Sequence, residues 1–266
     1  MMQLILVGVG AAVLSGLAGV VLPRWAPRWG LLDDAREGDG RQSHRGPLPR
    51  VGGLAVAVGF FVALLAAQAG TASLALGLGA LLLGLHDDLA TTDARGRLLA
   101  IVGLAVVATA LSPPLTGLTL AGGQVISLGP SGPILSVLWI VGVVVAFDFL
   151  DGLDGLAGGV ALLACGCWAV FAWVAGSPSG AVAPVALLGA LIGFLLHNRH
   201  PARIQLGDNG SNLVGFLVAV TALRAGDGAA AHPLVAAGLV LGVPILDAGG
   251  TVLRRLRGTS GLFESE

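Results

Sequence analysis

The segment FDFLDGLDGLAGGV, residues 147–160, lies between two long stretches of apolar sequence. The stretches on either side are residues 98–147 and 155–198.

 Within the two stretches themselves no Asp, Glu, Lys or Arg occurs, so the charges are confined to the segment between them, as Asp148, Asp151 and Asp154. Each stretch is long enough for about two helices that cross a lipid bilayer, since one span takes about 20 residues. The segment therefore predicts a turn between membrane helices that gathers carboxylates at the membrane surface.

The composition of the whole chain supports a membrane protein. Of the 266 residues, 55% are hydrophobic and only 11% are charged, and the mean hydropathy is +0.91. A soluble domain usually has about 25% charged residues. The formal net charge of −1 provides no basic field for nucleic acid, so we expect no nucleic-acid partner.

We predict an all-α fold, a polytopic membrane helix bundle in which residues 1–266 form a single domain. Apolar runs and the polar segments between them indicate about nine transmembrane helices. Residues 115–129 alternate between apolar and polar side chains around a Gly pair, which is typical of a short external β-hairpin, although an irregular loop fits equally well. The predicted helices are 2–22, 51–69, 71–86, 97–112, 133–150, 157–176, 181–197, 211–225 and 232–256.

The distribution of arginine predicts the orientation of the chain in the membrane. The chain has no Lys, and in the nine-helix arrangement every Arg except Arg224 falls on one side. Positive charge marks the cytoplasmic side of a bilayer, so we expect the loops that hold the carboxylates to face the cytoplasm and the N-terminus to lie outside. The first apolar run, 4–22, is followed rather than preceded by arginines, which favours a retained anchor over a cleaved signal.

The carboxylates of the opening segment need a partner that the neighbouring sequence does not provide. On a helix, residues i, i+3 and i+6 lie within an arc of about 120°, so the three side chains are expected to point roughly one way. No Lys or Arg occurs between residues 98 and 198. Close negative charges repel one another unless a cation or a basic ligand lies among them. The spacing therefore predicts a cation or a basic ligand at this turn.

A second acidic motif, GLHDDLATTDARGRLLA, occupies residues 84–100. Asp87 and Asp88 end one apolar helix, and Arg95 and Arg97 begin the next. Adjacent acids with arginines nearby suit Mg²⁺ and phosphate together, although the motif alone also fits an ordinary solvated turn.

Two further motifs complete the set. In IQLGDNGSNLVGF, residues 204–216, Asp208 precedes a predicted helix that Ser211 or Asn209 could cap, and free N–H groups at a helix start attract phosphate. In GRQSHRGPLPRVGGLAV, residues 40–56, His44 and Arg50 lie before a helix. The arginines of this motif could bind a diphosphate or could act only as a positive-inside signal.

These four motifs, in this order, resemble the polyprenyl-phosphate N-acetylhexosamine-1-phosphate transferases, which belong to glycosyltransferase family 4. The quoted motifs are SHRGPLPRVGGLAV, DDLATTDARGRLL, VAFDFLDGLDGLAGG and ARIQLGDNGSNLVGF. The resemblance implies transfer of a sugar-1-phosphate from a UDP-sugar to a polyprenyl phosphate, such as undecaprenyl phosphate, with release of UMP. It further implies Mg²⁺ as cofactor, with Mn²⁺ as a substitute, and a role in cell-envelope polysaccharide synthesis at the bacterial cytoplasmic membrane. It leaves open whether the protein forms a homodimer.

The resemblance also implies roles for individual residues. Asp87 and Asp88 would activate or place the polyprenyl phosphate, and Asp208 would bind Mg²⁺. Asp148 stands where the family usually has a metal-side Asn, and would be a second ligand. The substrate-binding residues would be Asp151, Asp154 and Gly155 for the nucleotide, and Arg97, Arg50 and His44 for phosphates.

Some features depart from the family pattern. Val145 and Asp148 stand where the family usually has two Asn residues, and Arg97 where it commonly has Lys. The C-terminal inner loop and last helix of the family are expected to be absent from residues 1–266. The competing interpretations are a cation-coupled transporter, which would carry its acids deep within several helices, and an intramembrane aspartyl protease, which would need two facing acids. The acids here lie mainly at helix ends, which favours the transferase.

Overall fold

The structure is a computed structural model that describes residues 1–33, 47–69, 71–90, 92–111, 115–119 and 125–224, together with residue 242. These residues form eight long helices and one helix of four residues, α2. In chain order they are α1 (Met2–Val21), α2 (Ala26–Trp29), α3 (Gly52–Ala66), α4 (Thr71–Leu89), α5 (Ala94–Leu111), α6 (Ser131–Leu150), α7 (Leu156–Val174), α8 (Val182–Asn198) and α9 (Gly207–Arg224).

The prediction of a polytopic all-α membrane protein is confirmed. The long helices correspond to the first eight predicted helices, and the ninth, at 232–256, lies outside the described residues except for residue 242. Five helices, α1 and α4 to α7, are long and apolar enough to cross a membrane, and α3 and α8 are apolar but shorter. The chain is therefore a multi-pass membrane protein.

Helix α9 lies at the centre of the bundle, where it packs against α3, α4, α6 and α7. All of its residues from 209 to 220 are buried. Glycines on the neighbouring helices allow this close approach, because a Cβ atom on Gly84 would lie 2.1 Å from the backbone oxygen of Asp208. A Cβ atom on Gly53 would lie 2.1 Å from Asn209 Oδ1. Small residues at such contacts are typical of helix packing in membranes.

A short two-stranded sheet, which the sequence did not predict, attaches the segment before α3 to the start of α9. Strand β1 (Leu32–Asp33) pairs in antiparallel fashion with β2 (Leu48–Pro49). The N–H of Gln205 donates to the backbone oxygen of Pro49 at 2.9 Å, and the N–H of Gly52 donates back to Gln205 at 2.8 Å. These bonds hold the 48–53 segment against the residues that lead into α9.

The segment between α5 and α6 contains the hairpin that the sequence left open. Strands β3 (Gly117–Thr119) and β4 (Val125–Ser127) pair in antiparallel fashion, with Leu118 opposite Ile126. The N–H of Leu115 donates to the hydroxyl of Ser136 on α6 at 3.0 Å, which ties the hairpin to the bundle. The hairpin interpretation is therefore confirmed for these residues.

Candidate active site

Five carboxylates from three parts of the bundle meet at one end of the helices. We call Asp87, Asp88, Asp148, Asp151 and Asp208 the carboxylate cluster. The first two lie in the last turn of α4, and Asp148 lies in the last turn of α6. Asp151 follows α6 directly, and Asp208 lies in the first turn of α9. The sequence separates these residues by up to 121 positions, and only the packing of the helices brings them together.

Arg97, in the first turn of α5, connects three members of the cluster. Its Nε lies 2.9 Å from Asp87 Oδ2, and its Nη2 contacts Asp148 Oδ1 and lies 3.4 Å from Asp208 Oδ1. The contact with Asp87 is an ion pair without hydrogen-bond geometry, because Asp87 Oδ2 accepts no hydrogen bond. Asp148 therefore has a basic partner within the protein, although no Lys or Arg occurs between residues 98 and 198. Its partner comes from another helix, which local sequence cannot show.

The side chain of Asp88 is fully buried and caps α9 from outside that helix. Its Oδ1 accepts the N–H of Asp208 at 3.1 Å, and its Oδ2 accepts the N–H of Asn209 at 2.8 Å. The side-chain Nδ2 of Asn209 donates to the same Oδ2 at 2.6 Å and to the backbone oxygen of Arg50 at 2.9 Å. A carboxylate at a helix N-terminus satisfies free N–H groups and interacts favourably with the helix dipole.

Asp151 Oδ2 accepts the N–H of Gly207, the first residue of α9, at 3.0 Å. Burial raises the pKa of Asp151 well above its usual value. The hydrogen bond from Gly207 lowers this pKa, and the charges of neighbouring carboxylates raise it. The N–H groups of the first three α9 residues thus bind carboxylates. The expectation that the N–H groups at this helix start are free is therefore wrong.

These caps also explain an error in the predicted boundary of α9. The helix begins at Gly207 rather than at residue 211, so Asp208 is helical and does not lie in a loop. Neither Ser211 nor Asn209 caps the helix through its side chain. The Ser211 hydroxyl lies 3.4 Å from Asp208 O and 3.3 Å from Asp148 Oδ1, and Asn209 Nδ2 donates to Asp88 Oδ2 and to Arg50 O. The caps come from α4 and from the turn after α6, so the residues around 207 contain no local signal for the helix start.

Asp154 lies apart from the other two carboxylates of its segment. Helix α6 ends at Leu150, so the three side chains do not share one helical face and the expectation that they point one way is wrong. Asp154 Oδ2 lies 2.9 Å from His200 Nδ1 and accepts the N–H of Ala202 at 3.1 Å. The sequence did not single out His200, which follows the end of α8 without any motif.

The backbone conformation of the turn before α7 requires a glycine at position 155. Its φ is +73°, a left-handed conformation that favours glycine, and it immediately precedes α7. Its N–H donates to Asn198 Oδ1 at 2.9 Å, and Asn198 Nδ2 donates to Ile204 O at 2.9 Å. Asn198 therefore joins the turn before α7 to the segment before α9.

Arg50 reaches the edge of the carboxylate cluster. Its Nη2 contacts Asp33 Oδ1 on β1, and its Nη1 lies 3.9 Å from Asp88 Oδ1. Asp33 was missed by the sequence analysis, since its pairing depends on the β1–β2 contact. His44 lies outside the described residues.

The oxygen atoms of the cluster fit a limited set of Mg²⁺ ligands. Within the described ranges, no three side chains among His, Cys, Asp and Glu form a preformed metal site. Mg²⁺ commonly takes only one or two carboxylates and completes its shell with water and substrate phosphate. Asp148 and Asp208 meet this requirement, because one oxygen of each converges on the same cationic nitrogen, Arg97 Nη2.

This arrangement of acids and arginine lies mostly within residues 70–226, which match the sequence model of a family described as glycosyl transferase family 4. The chain belongs to glycosyl transferase family 4. All five members of the carboxylate cluster and Arg97 fall inside the matched residues, whereas Arg50 precedes them.

Similar members of family 4 come from several bacteria. The probable undecaprenyl-phosphate N-acetylglucosaminyl 1-phosphate transferase of Bacillus subtilis (strain 168) is 30% identical over 244 residues, 89% of this chain and 67% of that protein. The decaprenyl-phosphate N-acetylglucosaminephosphotransferase of Mycobacterium tuberculosis (strain ATCC 25618 / H37Rv) is 30% identical, with 99% of this chain and 74% of that protein covered. The phospho-N-acetylmuramoyl-pentapeptide-transferase of Geobacillus kaustophilus (strain HTA426) is 41% identical over 98 residues, 37% of this chain and 30% of that protein.

Proposed function

We propose that this protein transfers an N-acetylhexosamine-1-phosphate from a UDP-sugar to a polyprenyl phosphate such as undecaprenyl phosphate. In the net reaction, an oxygen of the lipid phosphate forms a bond to the phosphorus that carries the sugar. The bond between that phosphorus and the oxygen bridging to the nucleotide breaks, and UMP leaves. The observation that carries the proposal is the convergence of Asp87, Asp148 and Asp208 on Arg97 inside the residues that match the family. The names of the relatives support this reaction.

Both reacting groups are phosphates, so the site must reduce their mutual repulsion. Catalysis of phosphoryl transfer depends mainly on positioning and on electrostatic stabilisation. A bound Mg²⁺, or Mn²⁺, held by Asp208 and Asp148 would supply that positive charge. Arg97 would bind substrate phosphate with the guanidinium nitrogens that now contact the acids, since its fork can bind two oxygens at once.

Exposure separates the residues that can meet a substrate from those that support them. The side chains of Asp148 and Asp208 are 32% and 31% exposed, whereas that of Asp88 is 0% exposed. This difference supports direct contact for the first two. Asp88 would act by holding the N-terminus of α9, and with it Asp208, in place. Asp87, which is 9% exposed beside Arg97, would help place the acceptor phosphate.

The resemblance to the family supports the remaining substrate contacts. Asp151, Asp154 and Gly155 would hold the nucleotide, and Arg50 and His44 would contact phosphates.

The protein would act at the cytoplasmic face of the bacterial inner membrane, with its N-terminus outside, in cell-envelope polysaccharide synthesis. Cysteine labelling tests this orientation, since a cysteine at position 43 should react only with a reagent that enters the cell.

The reaction is tested with purified protein, undecaprenyl phosphate and a panel of UDP-sugars, with UMP as the readout. We expect UMP only when both substrates and Mg²⁺ or Mn²⁺ are present, and none after addition of EDTA. Undiminished UMP release in the presence of the chelator would contradict the role of the metal. No UMP with any UDP-sugar would contradict the proposed reaction itself.

A further inference from the structure

An apolar groove runs between α7 and α8 and ends near the turn that carries Asp154. The groove has a volume of about 980 Å³, at the upper end of the range of about 300–1,000 Å³ for small-molecule sites. Its walls include Leu156 and Leu162 from α7 and Ile192 and Leu196 from α8. Its polar end is formed by Asp154, Arg199 and His200.

The walls of this groove suit hydrocarbon chains. Helix α7 is long and apolar enough to cross a membrane, and α8 is an apolar helix beside it. Leu156, Ile192 and Leu196 are 40%, 43% and 60% exposed, so their side chains face the surroundings of the bundle rather than its core. Gly159 deepens the groove, because a Cβ atom there would have no other atom within 4 Å.

The polar end of the groove suits an anionic headgroup. Arg199 and His200 are exposed where α8 ends, at the same end of the bundle as the carboxylate cluster. The carboxylate of Asp154 is 10% exposed and contacts His200, so the accessible charge at the groove is that of Arg199. Basic pockets between membrane helices bind the headgroups of anionic lipids.

The occupant of the groove need not be the reacting lipid. Among the described residues that line the groove, none is Arg97 or a member of the carboxylate cluster, although Asp154 and Gly155, which would hold the nucleotide, lie at its polar end. A phosphate beside Arg199 would therefore lie outside the proposed reaction centre. We propose that the α7–α8 groove binds a membrane phospholipid with an anionic headgroup, with the acyl chains along the leucines and the phosphate at Arg199. Because the turn 153–155 forms the end of the groove, the bound lipid would also stabilise the turn that holds Asp154.

Lipid binding is measured by native mass spectrometry on the full chain, with phosphatidylglycerol and phosphatidylcholine of identical acyl chains. Arg199→Gln should weaken the binding of phosphatidylglycerol about fivefold and leave phosphatidylcholine unchanged, since an arginine near an anionic lipid contributes this order of affinity. Gly159→Leu should weaken both lipids, because the new side chain fills the groove without a clash. Matched controls are Arg203→Gln and Gly142→Leu, an exposed glycine on α6 with equally open surroundings.

The proposal is overturned if Arg199→Gln and Gly159→Leu bind phosphatidylglycerol as the wild type does, or if the controls lose as much as they do. It is also overturned if undecaprenyl phosphate displaces phosphatidylglycerol in a Gly159-dependent manner, since the groove would then hold the acceptor lipid. The measurement uses no UDP-sugar and no turnover, so its outcome is independent of the proposed reaction.

Discussion

The contact between Arg97 and Asp148 predicts that substitutions at these two positions are not additive. Arg97→Lys keeps the positive charge but loses the planar fork that reaches Asp87, Asp148 and Asp208 together. Asp148→Asn removes one negative charge from the same contact. Once Asp148 is an amide, the fork has one carboxylate fewer to hold, so Arg97→Lys should then cost less. The double variant should therefore be more stable than the sum of the two single changes predicts.

The expected size of this coupling follows from the exposure of the pair. The Arg97 and Asp148 side chains are 24% and 32% exposed. Breaking a fully buried pair costs about 3–5 kcal/mol, whereas an exposed pair contributes about 0.2–1 kcal/mol. For a partly buried pair in which Lys retains the charge, we expect a coupling of about 1–2 kcal/mol.

The coupling is measured from the free energies of unfolding of the wild type, the two single variants and the double variant in detergent micelles. The control combines Asp148→Asn with Arg28→Lys. Arg28 lies on α2 with its guanidinium 5.0 Å from the centre of the Trp25 ring, so it has a different partner from Arg97. That pair should be additive within about 0.5 kcal/mol. If the effects of Arg97→Lys and Asp148→Asn on the unfolding free energy also added within about 0.5 kcal/mol, this result would refute the argument.

Four further outcomes follow from the site. Asp208→Asn should abolish UMP release, a loss of several kcal/mol of transition-state stabilisation. It should change the unfolding free energy by less than about 1 kcal/mol, since the Asp208 side chain is 31% exposed. Normal turnover in this variant would contradict the role of Asp208. Asp88→Ala should lower the unfolding free energy by about 2–4 kcal/mol, because two backbone N–H groups of α9 lose their acceptor; an unchanged unfolding midpoint would show that the cap is dispensable. Asp151→Asn should stabilise the protein relative to the wild type increasingly as pH rises above about 4, as measured by thermal unfolding. The folded-state pKa of Asp151 lies above the unfolded value, so the wild type loses stability as pH rises from the unfolded value towards the folded one, whereas Asn can still accept the Gly207 N–H. Gly84→Ala should cost about 1–3 kcal/mol because of the contact with Asp208 O, whereas Gly103→Ala, with no atom within 4 Å, should be neutral or slightly stabilising; equal thermal midpoints for the two would argue against close packing of α9.

The positions of the helices and of most acids could be predicted from the sequence alone. Long apolar runs need no tertiary information to be recognised, because a bilayer requires each span to satisfy its own backbone hydrogen bonds. The same reasoning places Asp87 and Asp88 at the end of α4 and Asp148 at the end of α6, where the apolar runs stop. The order of the four motifs was sufficient to indicate the family.

The partners of those acids were decided only by the tertiary structure. Arg97 and Asp148 are 51 residues apart, and Asp88 and Asn209 are 121 residues apart, so no local pattern records their contacts. The start of α9 is the clearest case, because Gly207 begins the helix when Asp88 and Asp151 accept its first N–H groups. Local sequence determines where a membrane helix can form, since that depends on apolar length. Which charges neutralise one another depends on how the helices pack, and only the folded chain determines it.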